Sequence, residues 1–288
     1  MRSSLLLFFC YIIFLCPIRV RYFLGYCLGI LWFDVFRVRR RVAIENISRA
    51  FPDWPQDKVL KTARRSLIEQ GYLIADFAEM AFISAEQLEK KIKFNHIENL
   101  ENALQQNKGV FLLALHMSNG DYGIAGLSAR GYPINLITKR FRSQWLDDLW
   151  FRIRGRFGTK FIAARESSYD ILKAIRSKEV VIFVLDQFMG PPLGLRTQFF
   201  GHMTGTAFGL ALFARKTQAP VVPTFIQREA DGTFRLTCLP AVPYEEKTSK
   251  DDTLQFMTQK YTDKIEEIVR ECPEQWLWIH RRWKPFNE

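Results

Sequence analysis

Val110-Phe111-Leu112-Leu113-Ala114-Leu115 is an unbroken apolar run that opens after Gly109 and closes on His116-Met117-Ser118-Asn119-Gly120-Asp121. A run this short and continuous, bounded by turn residues, suits a parallel strand buried on both faces, which has no solvent side for polar residues to occupy. The rhythm recurs at Ile134-Asn135-Leu136-Ile137-Thr138, Lys160-Phe161-Ile162, Val180-Val181-Ile182-Phe183-Val184-Leu185 and Val221-Val222-Pro223-Thr224-Phe225-Ile226. Helix-like segments near residues 121–130, 143–155, 167–177 and 205–217 separate these runs. Strand and helix in alternation predict an α/β fold with a mostly parallel sheet flanked by helices. Gln227–Cys238 predicts a hairpin turning at Ala230-Asp231-Gly232-Thr233, and residues 253–271 predict an amphipathic C-terminal helix.

Upstream, residues 42–106 carry a helical pattern, with Leu60, Ala63, Leu67, Gly71, Ile74, Ala75 and Ala78 three or four apart. Phe51-Pro52-Asp53-Trp54-Pro55 breaks it, and Ser84 with Gln87 has the form of a capping box. Before this lie two apolar runs, Ser3 to Ile18 and Tyr22 to Phe36, interrupted at Pro17. Each is shorter than the roughly 20 residues that cross a bilayer, so a signal peptide, a long tilted span and a broken hairpin in one leaflet all compete. No A-x-A-like cleavage site follows the first run, which disfavours the signal peptide. Membrane attachment is the expectation, with Arg37-Val38-Arg39-Arg40-Arg41 holding the rest of the chain on the cytoplasmic side. The expected organisation is a membrane-anchoring segment, residues 1–40, followed by one catalytic domain, residues 41–288.

The 41 Lys and Arg against 30 Asp and Glu leave a net charge of +11, which calls for an acidic partner. Roughly half of this excess lies in residues 1–50, the most apolar part of the chain, and no recognised nucleic-acid motif is present. A lipid surface therefore fits better than nucleic acid. Five Cys without C-x-x-C spacing suggest neither a disulfide framework nor a zinc site.

Reactive groups in an open α/β sheet collect beyond the carboxyl ends of the strands. There His116 follows the first run, and Ser118-Asn119-Gly120 can turn the Asp121 carboxylate back toward the imidazole. Such a pair suits general-base catalysis: one ring nitrogen takes a hydroxyl proton while the other donates to the carboxylate. Spacing alone is weak, because a given His has about a one-in-ten chance of an acidic residue five positions on. His96 with Glu101 is such a decoy, in a charged stretch without a strand end. His202 and His280 lack the spacing. The chain contains no G-x-S-x-G elbow, phosphate loop, dinucleotide fingerprint or metal-like His and Cys cluster, so a cofactor-free, metal-free reaction is expected.

Several ordered motifs then converge. The H-x4-D of His116 and Asp121, Asp186-Gln187, Phe199-Phe200-Gly201 leading to Thr204-Gly205-Thr206, and Pro273-Glu274-Gln275-Trp276-Leu277-Trp278-Ile279-His280-Arg281-Arg282-Trp283-Lys284 resemble the late acyltransferases of lipid A biosynthesis. With Arg39–Ile47 and Ala50-Phe51-Pro52, the resemblance covers residues 22–285. It implies a glycerol-phosphate acyltransferase-like fold and an N-terminal membrane helix in the bacterial inner membrane. It also implies an acyl carrier protein thioester as donor and a hydroxyl of a lipid A precursor as acceptor. Many members carry Glu where Asp121 stands, which leaves a lysophospholipid, a phosphatidylinositol mannoside or an ornithine lipid as alternative acceptors, with acyl-coenzyme A as an alternative donor. A membrane-tethered nucleic-acid-binding protein is the distant alternative. Motif positions Asn119, Gln187, Gly205 and Thr206 become candidate substrate contacts. Lys139, Arg140 and Arg154 become candidate phosphate ligands, the last through its Arg-Gly step, against the rival reading of a solvated basic face. Asp186 is expected either to orient Arg154 or the acceptor, or simply to cap a helix. Arg281 and Arg282 are candidates to pair with core carboxylates, while Trp276, Trp278 and Trp283 are expected to pack.

Overall fold

The strand expected at residue 110 is present as β2 (Val110–Ala114), and it lies at the centre of the molecule. The computed structural model describes residues 2–165 and 167–286. They form helices α1 (Arg2–Leu15), α2 (Ile18–Ile30), α3 (Arg40–Ala50), α4 (Gln56–Met80) and α5 (Ala85–Lys91), then β1 (Ile92–Asn95) and α6 (Glu98–Gln105). After β2 come α7 (Gly120–Ala129), β3 (Ile134–Thr138), α8 (Gln144–Arg154), β4 (Lys160–Ala163), α9 (Ser168–Arg176) and β5 (Val180–Val184). The chain ends through β6 (Gly194–Phe199), β7 (His202–Ala207), α10 (Gly209–Thr217), β8 (Val221–Arg228), β9 (Phe234–Cys238) and α11 (Lys250–Glu271).

Seven strands pair in the order β1-β9-β8-β2-β5-β3-β4, all parallel to their neighbours except at the β8–β9 hairpin. The period-two backbone sends Phe111, Leu113 and Leu115 to one face, against α10 and α11, and Val110 and Leu112 to the other, against α6 and α7. Burial on both faces explains why β2 is apolar at every position. Ser84 and Gln87 form the expected capping box, each side chain bonded to the other's backbone N–H, at 3.1 and 3.0 Å.

Two expectations fail, both by tertiary override. Residues 92–95 are a strand, because Ile92 is buried and the segment pairs in parallel with β9, although the charged stretch it continues looks helical. Residues 202–207 pair with 194–199 as a separate hairpin instead of starting a helix, and the next helix begins at Gly209.

The N-terminal helices bend by 120° at the Pro17 break. Among the described residues no single helix is long and apolar enough to cross a bilayer; by length and composition the bent pair Ser3–Leu15 and Ile18–Phe36 is. On their outer side Phe8, Phe9, Leu15, Phe23 and Phe36 are exposed. On their inner side α2 lies against α4 at a glycine contact: a methyl on Gly71 would sit 2.1 Å from the carbonyl oxygen of Gly25, and one on Gly29 would sit 2.4 Å from Cα of Ile68. Both clashes are with backbone, which cannot rotate away. We expect Gly71→Ala to force α2 off α4 and to destabilise the fold by about 1–3 kcal/mol, as overpacking does. Thermal melts in detergent with limited proteolysis between α2 and α3 will check this; an unchanged melt and cleavage pattern would contradict the packing.

Candidate active site

The register of β2 and β5 places the two groups that matter. Ala114 stands opposite Val184, and the Leu185 N–H donates to the Ala114 carbonyl at 3.0 Å. Two residues beyond each strand end, His116 and Asp186 therefore emerge side by side. The His116 Nδ1 lies 2.8 Å from Asp186 Oδ1, while Asp186 Oδ2 accepts the His116 backbone N–H at 2.9 Å and the Trp276 indole N–H at 2.7 Å. The Asp186 side chain is only 2% exposed. Burial alone would push its carboxyl up, but the His116 charge and hydrogen bonds, with Trp276, bring it from 3.8 down to about 2. Its contribution to stability is thus present above the unfolded value and is lost as pH falls through the folded one. On His116, burial works against the charged form, but the charge and hydrogen bond of Asp186 outweigh it, so the imidazole stays above its ordinary 6.5. With Nδ1 turned to Asp186, Nε2 is on the open side, 3.5 Å from Gln187 Nε2.

This corrects the expected pairing. Asp121 does not hold the Nδ1 edge; its Oδ1 accepts from Arg154 Nε at 2.8 Å and Nη2 at 2.6 Å. The reason is local: Asn119 caps α7, its side chain accepting the Tyr122 N–H at 3.3 Å, and helix geometry then aims Asp121 toward α8. Asp121 and Arg154 still reach the imidazole by charge, the first raising and the second lowering its proton affinity. Nor does Asp186 orient Arg154 or cap a helix, as expected from its position; it orients His116.

Backbone at the turn is held in an unusual shape. Ser118 has φ of +45°, a left-handed conformation that a non-glycine residue adopts at a cost of about 1–3 kcal/mol. The chain after α11 holds it there. Ser118 N–H donates to the Gln275 carbonyl at 2.9 Å, Leu277 N–H donates to the His116 carbonyl at 3.1 Å, and Met117 bridges to Trp276. The tryptophan motif expected only to pack therefore also clamps the turn and donates to Asp186. No sequence signal showed it, since the need for an acceptor arises only once Trp276 is buried, to 1% exposure, in the fold.

The remaining candidates separate. Lys139 is exposed beyond β3, and Arg140 reaches Asp147 at 3.2 Å while 70% exposed. Asn119 is buried, bonding Asp76 at 3.1 Å as well as capping α7. Thr206 is wholly buried, bonded to Thr197 at 2.7 Å and to Arg282 Nη2 at 2.7 Å, so it and Gly205 are interior positions and not crevice walls. Among the described residues Arg282 pairs with no carboxylate in the manner expected. Its guanidinium donates to the carbonyls of Gly205 and Gln187 and the hydroxyl of Thr206, tying the β5 end to β7, and burial draws it down to about 10. His96 is exposed at the end of edge strand β1 and faces Glu98 at 3.2 Å, not Glu101. Among the described residues no three His, Cys, Asp or Glu side chains converge as metal ligands would.

The whole chain can be compared with known proteins. A family described as bacterial lipid A biosynthesis acyltransferase matches residues 1–285. A lipid A biosynthesis acyltransferase of Haemophilus influenzae is 26% identical over 274 residues, covering 95% of this chain and 84% of that protein. In Escherichia coli, a lipid A biosynthesis palmitoleoyltransferase is 25% identical, covering 93% and 86%, and a lauroyltransferase is 23% identical, covering 94% and 88%. A match running through both the N-terminal helices and the Trp276 clamp leaves one assignment: the chain belongs to the bacterial lipid A biosynthesis acyltransferases.

Proposed function

We propose that this acyltransferase moves a fatty acyl group from an acyl carrier protein thioester to a hydroxyl of a lipid A precursor, with His116 as general base. The observation that carries the reading is the His116–Asp186 contact, which suits an Nδ1–H donating to the carboxylate with the Nε2 lone pair left for the acceptor. Nε2 takes the hydroxyl proton as the oxygen attacks the thioester carbonyl. The tetrahedral intermediate then collapses, the carbon–sulfur bond breaks, and the leaving thiolate takes the proton back from Nε2. Asp186 stabilises the imidazolium formed in between. Arg154, fixed by Asp121, supplies positive charge beside the imidazole for the developing oxyanion or an acceptor phosphate. Lys139 and Arg140 then serve an exposed, basic rim suited to phosphates, and Gln187 lies close enough to Nε2 to contact the acceptor. In this reading α1, α2 and the Arg37–Arg41 segment anchor the enzyme at the cytoplasmic face of the inner membrane. The exposed aromatic face of the helices supports it.

His116→Ala is expected to lower transfer about 10²–10⁴-fold without loss of expression. His96→Ala should match wild type. In wild type the neutral, active imidazole disappears as pH falls through its raised pKa, so kcat/KM has an acidic limb above 6.5. Asp186→Asn removes the charge that raises it, so that limb moves to lower pH with a reduced plateau, whereas Asp121→Asn moves it less. Full pH profiles of wild type and the two variants decide between Asp186 and Asp121 as partner: a larger limb shift in Asp121→Asn would reverse the assignment.

A chain of net charge +11 should meet an acidic carrier protein by electrostatic steering. Raising ionic strength is therefore expected to lower kcat/KM for acyl carrier protein more than for acyl-coenzyme A, and Arg140→Glu should act in the same direction. A strong preference for acyl-coenzyme A at every salt concentration would replace the donor proposed here. Attachment is checked separately: the full chain should sediment with membranes and resist release by high salt, since apolar contact outlasts screening.

A further inference from the structure

We infer that the N-terminal helix α2 is part of the scaffold of the catalytic turn, with Arg21 and Tyr22 acting as positioning residues in addition to the anchoring role of the helix. Two routes of buried polar contacts run from these adjacent residues to the two residues that flank Gly120 and Asp121. In the first, Arg21 Nη1 pairs with Glu79 Oε1 on α4 at 2.8 Å, and Glu79 Oε2 accepts the Tyr122 hydroxyl at 2.7 Å. In the second, the Tyr22 hydroxyl accepts from Arg228 Nη1 at 3.0 Å. Arg228 pairs with Asp76, and Asp76 Oδ2 accepts from Asn119 Nδ2 at 3.1 Å. Arg228 is also bound to the clamp by its backbone, whose N–H and C=O pair with the Gln275 side chain at 2.8 and 2.9 Å. The turn is thus gripped on both sides of Asp121, and each grip ends on α2.

The environment makes these contacts directional. The side chains of Glu79, Asp76 and Arg228 are 7%, 2% and 5% exposed, and Glu79 also pairs with Lys91 and Arg228 with Glu69, so loss of Arg21 or of the Tyr22 hydroxyl leaves no bare charge but lets the remaining partners draw these buried groups to new positions. A displaced Glu79 or Asp76 acts on the turn through the Tyr122 hydroxyl and the Asn119 amide that each holds. Another side of α2 is different in kind: Phe23 is 63% exposed. One helix therefore carries a surface-facing side and a turn-supporting side.

The inference rests on the proposed role of the His116 turn, and the test separates the two. In detergent micelles, where membrane attachment limits nothing, Tyr22→Phe and Arg21→Met are expected to lower kcat by about 5–50-fold with KM within about twofold, and Arg21→Lys should recover most of the loss. Amides 117–123 should exchange faster with solvent in the impaired variants. Phe23→Ala should behave oppositely, with normal kcat in micelles and weaker binding to anionic vesicles. Wild-type kcat and wild-type exchange in both Tyr22→Phe and Arg21→Met would overturn the proposal, and Tyr22→Phe guards against misfolding because it removes a single hydroxyl. His116→Ala is assayed in parallel. If it retains activity, the base assignment falls, while the exchange measurement, which needs no turnover, still decides whether α2 holds the turn.

Discussion

Asp186 accepts three hydrogen bonds, from the His116 ring, the His116 backbone and the Trp276 indole, and each comes from a part of the chain that would otherwise be free to move. A buried carboxylate without partners would be costly; with charge-assisted bonds to each oxygen it becomes a fixed point. Around it the strand ends of β2 and β5, the left-handed turn at Ser118 and the chain after α11 are forced into one arrangement. This carboxylate fixes the orientation of the His116 ring. It also ties the C-terminal motif to the His116 turn: Trp276 fills the core and satisfies Asp186 at the same time.

A second layer of buried charge lies under the first. Arg228 sits between Glu69, at 3.0 Å, and Asp76, with the rings of Tyr22, Tyr72 and Phe234 around it. Burial raises the Glu69 carboxyl despite that cation. Networks of this kind add little net stability over an apolar core of the same shape, since desolvation offsets most of the attraction. They do impose geometry, because each buried charge is shared between partners on different elements and the loss of one contact shifts the others. Here the geometry imposed is that of the turn carrying Asn119, Asp121 and Tyr122, and the network spans the two parts that the sequence suggests are separate, the apolar N-terminus and the α/β domain.

Particular residues show how much of this was legible beforehand. The buried strands were, since unbroken runs such as Val110–Leu115 have few other uses. The short strand Ile92–Asn95 was not, because only Ile92 of its four residues is buried and its stability comes from pairing with β9, about 140 residues away. The hairpin at residues 194–207 was hidden for a related reason: its buried threonines satisfy one another, and Thr197 with Thr206 cannot be recognised as a pair until the strands are in register. His116 was found by its position after a strand. Its partner was assigned to the nearer carboxylate in the chain, whereas the structure supplies one from 70 residues downstream.

Local order and periodicity by themselves determined the α/β class, the strand carrying His116, the capping box at Ser84 and the apolar character of the first 36 residues, all of which depend on neighbours within a few positions. The full run of motifs further determined the family. Only the tertiary structure decided that Asp186 holds the imidazole, that Asp121 holds Arg154, that Thr206 and Gly205 are interior, and that Arg21 and Tyr22 reach toward the turn. The physical reason is the same in each case. A hydrogen bond or ion pair is decided at about 3 Å, and which groups come that close across a parallel sheet depends on strand order and register.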